Sequence, residues 1–391
     1  MKLTYKHTKY VAYFGLFTQA IVLNLLPLLF VSLQDQFSLG LGQISFLISM
    51  NFVVQILTDL AAMRFMDKLG YRRVLQIAHI CVIVGMSGLS VLPFWMDPFA
   101  ALCICYGFIS AVGSGLLEVT VSPVVEALPG KEKVSAMGML HSFFCWGFVS
   151  VVLVTTAYFV VFGREHWRLL PALWMVIPFV NLLLCSFVPI RQLNEDQPSM
   201  KLGQLLKSGL FWLFLLLMVC SGSAEQSMSQ WASYYAEQGL GVSKTVGDLL
   251  GPCVFAVLMG LSRALFGKYG DRIDLRKWLL LSGILCFGSY MLAVFAPHPI
   301  LSVVGCGLAG FGVGIMWPGT LSLASGKMPA GGSMMFAMLA FGGDVGCSIG
   351  PALNGLVTEH AGSMQKGLLA VSVFPLILVI GLWLLKKKKS A

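Results

Sequence analysis

Charged side chains are scarce in this sequence. Asp, Glu, Lys and Arg make up only 11% of its 391 residues, whereas soluble domains carry about 25% charged residues. Hydrophobic residues make up 57%. This shortage of charge excludes an ordinary soluble domain and predicts an all-α polytopic membrane protein.

Signals of enzyme chemistry are also lacking. The sequence contains no nucleotide-binding loop, metal-ligand cluster or nucleophile constellation, so we expect no enzyme, no metal and no cofactor. No cleavable signal peptide is evident, because the first apolar run is too long for one. The ten cysteines all fall in apolar segments, and they are interpreted as small buried hydrophobic residues, not as a disulfide framework.

Long apolar segments dominate what is present. Twelve of them are about long enough to cross a membrane, at 10–33, 44–66, 74–95, 99–125, 134–161, 168–189, 209–236, 247–266, 278–296, 300–325, 333–357 and 367–385. The longest polar interruption, residues 191–208, divides them six and six. We therefore predict an N-terminal six-helix bundle at 1–190, a cytoplasmic linker at 191–208 and a C-terminal six-helix bundle at 209–391.

The basic residues are distributed unevenly along this plan. If the N-terminus is cytoplasmic, 22 of the 26 Lys and Arg residues fall on the cytoplasmic side. Such a bias predicts a multi-pass protein of the cell (inner) membrane with both termini in the cytoplasm. It also explains the net charge of +9 without a nucleic-acid partner. The partners we expect are the lipid bilayer, protons and a small-molecule substrate, and we expect a monomer.

The two halves show internal similarity. With an offset of 199 residues, Gly113, Gly115 and Gly147 align with Gly312, Gly314 and Gly346. A short basic loop also follows the second helix of each half, with Asp67, Arg72 and Arg73 in the first copy and Asp271 and Arg272 in the second. This pattern indicates a parallel duplication. We interpret these loop residues, with Asp59 and Arg263 eight residues before the aspartates, as a cytoplasmic gate.

A carboxylate lies inside the fourth apolar segment. Placing Glu118 there costs roughly 2.5–3.5 kcal/mol, so such a residue normally faces a cavity or a partner. The neighbouring Gly113 and Gly115 allow close helix packing, and Pro123 requires a protein or water environment for the freed backbone groups. The alternative is a charge at a helix end. We predict that this helix lines a polar cavity.

Glu225 in the seventh segment and Asp344 in the eleventh are further candidates for proton binding. Two carboxylates in one low-dielectric site favour protonation of one of them. No Lys or Arg is expected at this depth, which disfavours an anionic substrate.

Polar and aromatic residues beside these acids are candidate substrate ligands. Gln226, Gln230, Trp231 and Tyr234 share one face region of the seventh helix, and His141, Trp317 and Asn24 lie on other helices. Amides bind sugar hydroxyls and flat rings stack on the C–H face of a sugar. The alternatives are an interfacial aromatic belt for the Trp and Tyr residues, a core histidine at His141 and simple packing of Trp317.

Several segments resemble a known family. The duplicated loop resembles the loop signature of the major facilitator superfamily. Within it, Gly115–Val125 resembles the Gly-Leu-Gly-Cys-Leu-Glu-Thr-Ala-Ala-Asn-Pro-Phe-Val segment of the fucose permease (fucose:H⁺ symporter) family. His141–Phe143 looks like that family's Asn-Ser-Phe, and Trp317–Leu323 looks like its Tyr-Pro-Thr-Ile-Phe-Ser-Leu.

The resemblance implies the major facilitator fold and proton-coupled uptake of a neutral sugar by alternating access. It also implies that Glu118 binds the proton. The family's second acidic residue, in helix 1, has no counterpart here, because Val22, Leu23 and Asn24 precede the Leu-Leu-Pro of that helix. Coupling through two such carboxylates would therefore need Glu225 or Asp344.

These observations predict a secondary active transporter that symports a small neutral solute, with a sugar as the expected class, using the proton gradient. The alternative is a proton-coupled multidrug or lipophilic-cation exporter of the same fold, because acidic, aromatic and Met-rich cavities also suit such cations. A non-transporting sensor or a lipid flippase would need a specialised terminal domain or a wide lateral opening.

Overall fold

The protein is a bundle of long helices. A computed structural model describes residues 3–129, 133–191, 200, 202–269 and 273–385. Twelve long helices run through this part of the chain: α1 (Tyr5–Phe37), α2 (Leu41–Leu69), α3 (Tyr71–Phe94), α4 (Pro98–Val125), α5 (Lys133–Phe162), α6 (Leu169–Phe187), α7 (Gly209–Gly239), α8 (Lys244–Tyr269), α9 (Leu275–Phe295), α10 (Pro299–Lys327), α11 (Gly332–Ala361) and α12 (Met364–Leu384).

Eleven of the described helices are long and apolar enough to cross a membrane by length and composition, and α11 runs among them for 30 residues. Large apolar side chains such as Phe187 and Trp383 are exposed on the surface of the bundle, as expected where lipid tails replace water. All ten cysteines are unpaired, and eight of them are buried. The predicted all-α polytopic fold is confirmed.

Some predictions concern residues that the structure does not describe. These are residues 192–199 and 201 of the predicted linker, Asp271 and Arg272 of the second basic loop, and the side chain of Asp67. The division into bundles at 1–190 and 209–391 stays a prediction.

Three of the described helices contain π-helical stretches, Cys103–Ser110 in α4, Tyr235–Gly239 in α7 and Leu249–Cys253 in α8. A wider turn changes the backbone hydrogen-bond pattern and leaves carbonyl groups to be satisfied by neighbours. In α4, the amide of Asn51 from α2 donates to the carbonyl of Tyr106 at 2.8 Å. Side chains of the adjacent helix therefore support the irregular part of α4.

The two halves close their helix ends in the same way. Arg72 at the start of α3 donates to three carbonyl oxygens at the end of α6, at 2.6–2.8 Å. Arg276 at the start of α9 donates to the carbonyls of Leu382 and Trp383 at the end of α12, at 2.8 and 2.9 Å. The last carbonyls of a helix lack partners within that helix and carry partial negative charge, so a guanidinium suits both positions.

The halves meet on one side of the molecule, which we call the distal side: the side of Phe37, opposite the start of α1 at Tyr5. Three helix pairs form this seam. Gln230 of α7 donates to the carbonyl of Leu23 in α1 at 3.1 Å, and Ser348 of α11 donates to the carbonyl of Ser49 in α2 at 3.4 Å. The third pair is α5 and α8, which are linked through Thr156 and Asp248.

Candidate functional site

Glu118 is held by a neutral partner. It lies in the α-helical stretch of α4 that follows the π-helical turn, and it is half-buried. The side-chain amide of Gln19 in α1 donates to one carboxylate oxygen at 2.7 Å. Close packing makes this reach possible, because Gly15 of α1 leaves room for Val121 of α4. Glu118 thus points from α4 toward α1, and its predicted place in a polar cavity stays a prediction.

Two further acids belong to the same cluster. Asp59 of α2 and Asp344 of α11 each interact electrostatically with Glu118 and with one another. The Asp59 carboxylate lies against Gly115 of α4, and one of its oxygens is buried without a hydrogen-bond partner in the described structure. Asp344 is only 7% exposed. Three carboxyl groups from three helices therefore share one poorly solvated region, which we call the acidic cluster.

Glu225 of α7 has a basic partner. Its two carboxylate oxygens lie 3.2 and 3.3 Å from one guanidinium nitrogen of Arg263 in α8. Arg263 also donates to the carbonyl of Gly314 at 3.2 Å and lies 3.5 Å from the sulfur of Cys145 in α5. The expectation that no Lys or Arg lies at the depth of the carboxylates is therefore wrong.

This ion pair changes two interpretations made from the sequence. Arg263 and Asp59 were assigned to a gate apart from the central carboxylates, yet Arg263 contacts Glu225 and Asp59 belongs to the acidic cluster. The side chain of Arg263 is long, so its guanidinium lies farther from the predicted cytoplasmic end of α8 than the position of its backbone suggests. The lack of a basic group also no longer argues against an anionic substrate, although Glu225 already neutralises Arg263.

The polar residues of α7 that face the seam, Gln226, Ser229 and Gln230, form hydrogen bonds there. Gln230 donates to Gln226 at 3.2 Å as well as to the carbonyl of Leu23. Asn24 accepts a hydrogen bond from Ser229 at 3.1 Å. In this conformation, Asn24 and Gln230 join α1 to α7.

Trp231, an aromatic residue of α7, packs against neighbouring helices and against Tyr234 of its own helix. The indole of Trp231 is fully buried and donates to the carbonyl of Pro351 in α11 at 3.1 Å. Its ring contacts Phe30 of α1 and Tyr234, with centroids 5.8 and 5.7 Å apart. A role for Trp231 and Tyr234 in substrate binding stays a prediction, and in this conformation Trp231 would have to leave its present partners to take part.

His141 and Trp317 lie nearer the acids. His141 of α5 is exposed and interacts electrostatically with Arg263. The half-buried ring of Trp317 in α10 packs directly against Gly343, the residue before Asp344. The contact is so close that any side chain at Gly343 would overlap the ring. These two residues approach the Glu225–Arg263 pair and the acidic cluster from different helices.

The two arginines of the first basic loop have different surroundings. Arg72 binds the end of α6, as described above, whereas Arg73 is exposed. Within the described residues, no group of His, Cys, Asp and Glu could hold a metal ion.

Sequence reasoning missed two sets of contacts. Gln19 in α1 is the direct partner of Glu118. Lys244 and Asp248 form an ion pair at 2.9 Å at the start of α8. The four-residue spacing of opposite charges on a helix was the signal that could have revealed that pair.

Comparison with known proteins agrees with the fold. The sequence profile described as the Major Facilitator Superfamily matches residues 12–351 and 253–391. A multi-drug resistance efflux pump, PmrA, of Streptococcus pneumoniae is 26% identical over 318 residues, which cover 75% of each chain.

Solved structures give the same picture at low identity. The fucose:proton symporter of E. coli is similar with a TM-score of 0.67 and 17% identity, covering 98% of this chain and 99% of the other. A bacterial homolog of the human lysosomal transporter Spinster has a TM-score of 0.78 and 13% identity, covering 97% and 95%. A D-xylose–proton symporter has a TM-score of 0.77 and 14% identity, covering 98% and 97%.

The family profile spans most of the chain, and the twelve-helix architecture matches the solved transporters from end to end. The predicted resemblance to the fucose permease fold is confirmed. The protein is a membrane transporter, not an enzyme, and it belongs to the Major Facilitator Superfamily.

Proposed function

We propose that this transporter symports a small neutral solute with protons, that Glu118 is the principal proton-binding residue, and that a sugar is the substrate class. The observation that carries the proton assignment is the environment of Glu118. Its bonded partner is the neutral amide of Gln19, and the ionisable groups that interact with it, Asp59, Asp344 and Glu225, are acids. A proton relieves the repulsion between such groups, so one can be loaded and released as the cavity changes sides.

The carboxylates divide into two roles under this proposal. Asp344 and Asp59 share the acidic cluster with Glu118 and are the candidates for the second proton-binding group, in place of the acid that helix 1 lacks. Glu225 is paired with Arg263, and that pair is better suited to accept hydrogen bonds from a substrate than to exchange a proton.

Polar and aromatic groups near the acids support a sugar substrate. Trp317 lies half-buried beside Asp344, and its ring is a surface on which a sugar can stack. Gln226 next to Glu225 and the exposed His141 supply hydrogen-bonding groups. Two of the solved structures with this fold are a fucose:proton and a D-xylose–proton symporter, which is a precedent for this combination of substrate and ion.

The proposed setting is the cell (inner) membrane, with both termini in the cytoplasm. The positive-inside bias supports this orientation. The distal side then faces the outside, and the seam described above closes the cavity to the outside.

The coupling proposal is tested in proteoliposomes with an imposed pH difference. Glu118→Gln keeps the shape and the hydrogen bond from Gln19 but cannot ionise. We expect substrate exchange to survive and proton-driven accumulation to fall at least about 100-fold, the lower range for losing a proton-transfer group. Glu359→Gln, at an exposed acid on α11, is the matched control and should accumulate substrate normally. Accumulation by Glu118→Gln at the wild-type level would refute the assignment.

The substrate proposal is tested by a thermal-shift panel of neutral sugars on purified protein, because a ligand that binds only the native state raises its stability. A sugar that stabilises the wild type should lose its effect on Trp317→Ala. The control is Trp212→Ala, which changes an exposed tryptophan on α7. If no sugar stabilises the protein, or if both variants respond alike, the sugar site is not at Trp317.

Export of lipophilic cations is the second candidate. Two observations favour it: the similarity to a multi-drug resistance efflux pump over 75% of the chain, and the excess of acids over bases in the central region. Lipophilic cations belong in the same thermal-shift panel. Stabilisation by cations and not by sugars, together with proton-dependent dye loss from vesicles, would select this function.

A further inference from the structure

The distal ends of α5 and α7 are joined by an ion pair. Arg164 follows the end of α5 in the N-terminal half, and Glu237 lies in the π-helical last turn of α7 in the C-terminal half. One guanidinium nitrogen of Arg164 contacts a carboxylate oxygen of Glu237, with side chains 36% and 12% exposed. This contact ties one half of the protein to the other at the rim of the seam.

A buried carboxylate also links the two halves, between α5 and α8. Asp248 of α8 is fully buried and forms an ion pair with Lys244 at 2.9 Å. Its carboxylate also accepts hydrogen bonds from Ser233 of α7 and, across the two halves, from Thr156 of α5 at 3.2 Å. Hydrogen bonds to an ionised acceptor are stronger than neutral ones, so Thr156 has a strong partner on the opposite half.

The other two helix pairs of the seam make a different kind of contact. Between α2 and α11, Ser45 packs directly against Gly355, and between α1 and α7 the hydroxyl of Ser229 meets the amide oxygen of Asn24. These contacts depend on small side chains and neutral groups. Between α2 and α11 the carboxylate of Glu359 also lies against Gly42, but among the described residues the ion pair that joins the halves on the distal side is between α5 and α7.

We propose that the Arg164–Glu237 ion pair and the Thr156–Asp248 hydrogen bond form a latch that holds the transporter closed on its distal side. Alternating access requires this side to open, and opening must break both contacts because each joins opposite halves. The Lys244–Asp248 pair lies within one half and stays intact. The proposal does not depend on the substrate or on proton coupling.

Hydrogen exchange on the purified full-length protein measures opening of the distal side without a ligand. The reporters are residues 41–49 of α2 and 348–361 of α11, which are remote from the latch in sequence. Their buried positions, among them Ile44, Ile48 and Asn354, gain access to solvent when the halves separate. Exchange from such an opening reports the population of the open form. We expect Arg164→Gln to raise exchange there about fivefold, the change expected for loss of a partly exposed ion pair.

The matched control is Arg168→Gln. Arg168 lies on the same connection but packs over the ring of Phe94 within its own half. It should leave exchange in both reporters unchanged. Equal exchange in Arg164→Gln and Arg168→Gln would overturn the role of the ion pair.

A second pair of variants tests the buried contact without changing charge. Thr156→Val removes the hydroxyl that reaches Asp248, whereas Thr155→Val removes one that accepts from Trp174 within the same half at 3.4 Å. We expect only Thr156→Val to raise exchange in the reporters. The exchanged pair, Arg164→Glu with Glu237→Arg, should restore low exchange, and failure of this double variant where each single variant raises exchange would show that the effect is not an ion-pair latch.

Discussion

The two halves of the transporter each place a glutamate in the membrane, and the two glutamates have opposite surroundings. Glu118 in the N-terminal half receives a hydrogen bond from Gln19 and lies among the acids Asp59 and Asp344. Glu225 in the C-terminal half is paired with Arg263. At the helix ends, by contrast, Arg72 and Arg276 do the same work in both halves.

This contrast separates scaffold from function. The arginines at the helix ends satisfy backbone groups that every helix end leaves without partners, so the same solution serves both halves of the chain. Glu118 and Glu225 are close enough to interact electrostatically, so two like charges there repel each other. One acid compensated by a base and one cluster without a described base make the two sides of this region chemically distinct.

The largest expected effect is a loss of stability that differs between the two glutamates. Glu225→Gln leaves the buried guanidinium of Arg263 without its counter-charge, and removing one partner of a buried pair costs about 3 kcal/mol or more. Glu118→Gln retains an acceptor for Gln19, so its cost should stay below about 1 kcal/mol. Thermal unfolding of the purified variants, compared with wild type, measures the difference.

A double variant sharpens this test. Glu225→Gln combined with Arg263→Gln removes both charges and should recover more than half of the loss, since no uncompensated charge remains. If the double variant is as unstable as the sum of the two single variants, the two side chains do not act as a pair.

An intermediate effect is expected at the helix ends. Arg72→Ala and Arg276→Ala each leave carbonyl groups unsatisfied and should each destabilise the protein by about 2 kcal/mol, because hydrogen bonds from a charged donor contribute about 1.5–3 kcal/mol. Arg73→Ala, at the exposed neighbouring arginine, should be neutral. Thermal unfolding that shows a large loss for only one of the two arginines would show that the halves do not share this device.

The smallest effect concerns a contact of the N-terminal half. The hydroxyl of Thr8 in α1 donates to the carbonyl of Pro189 beyond α6 at 2.6 Å, so Thr8→Val should cost about 1 kcal/mol. Thr18→Val is the control on the same helix, because the hydroxyl of Thr18 bonds the carbonyl of Phe14 one turn earlier and that carbonyl keeps its helical partner. Equal unfolding temperatures for the two variants would contradict the expectation.

The fold was predictable because each spanning helix is encoded locally, by an apolar run of the required length. That Glu118 has a hydrogen-bonding partner was predictable for a related reason: a carboxylate in lipid is too costly to leave unpartnered. Both conclusions need only one segment of sequence at a time.

The partners of the acids were not predictable in that way. Arg263 was placed near the surface by counting residues along α8, but its side chain reaches Glu225 on the neighbouring helix. Gln230 and Trp231 were expected to line the cavity because they are polar or amphipathic within a membrane helix. The structure shows that Gln230 instead binds a carbonyl of the other half and that Trp231 binds a carbonyl of α11 in its own half. A single sequence does not reveal which conformation brings these groups together.

The π-helical stretch Cys103–Ser110 determines the direction in which the following part of α4 presents its side chains. A π-helical turn accommodates one extra residue, and at 3.6 residues per turn one residue corresponds to a rotation of about 100°. Glu118 lies beyond that stretch on the same helix, so its orientation toward Gln19 depends on the wider turn. Deleting one residue from the stretch would therefore turn Glu118 toward a different neighbour without changing any residue of the site.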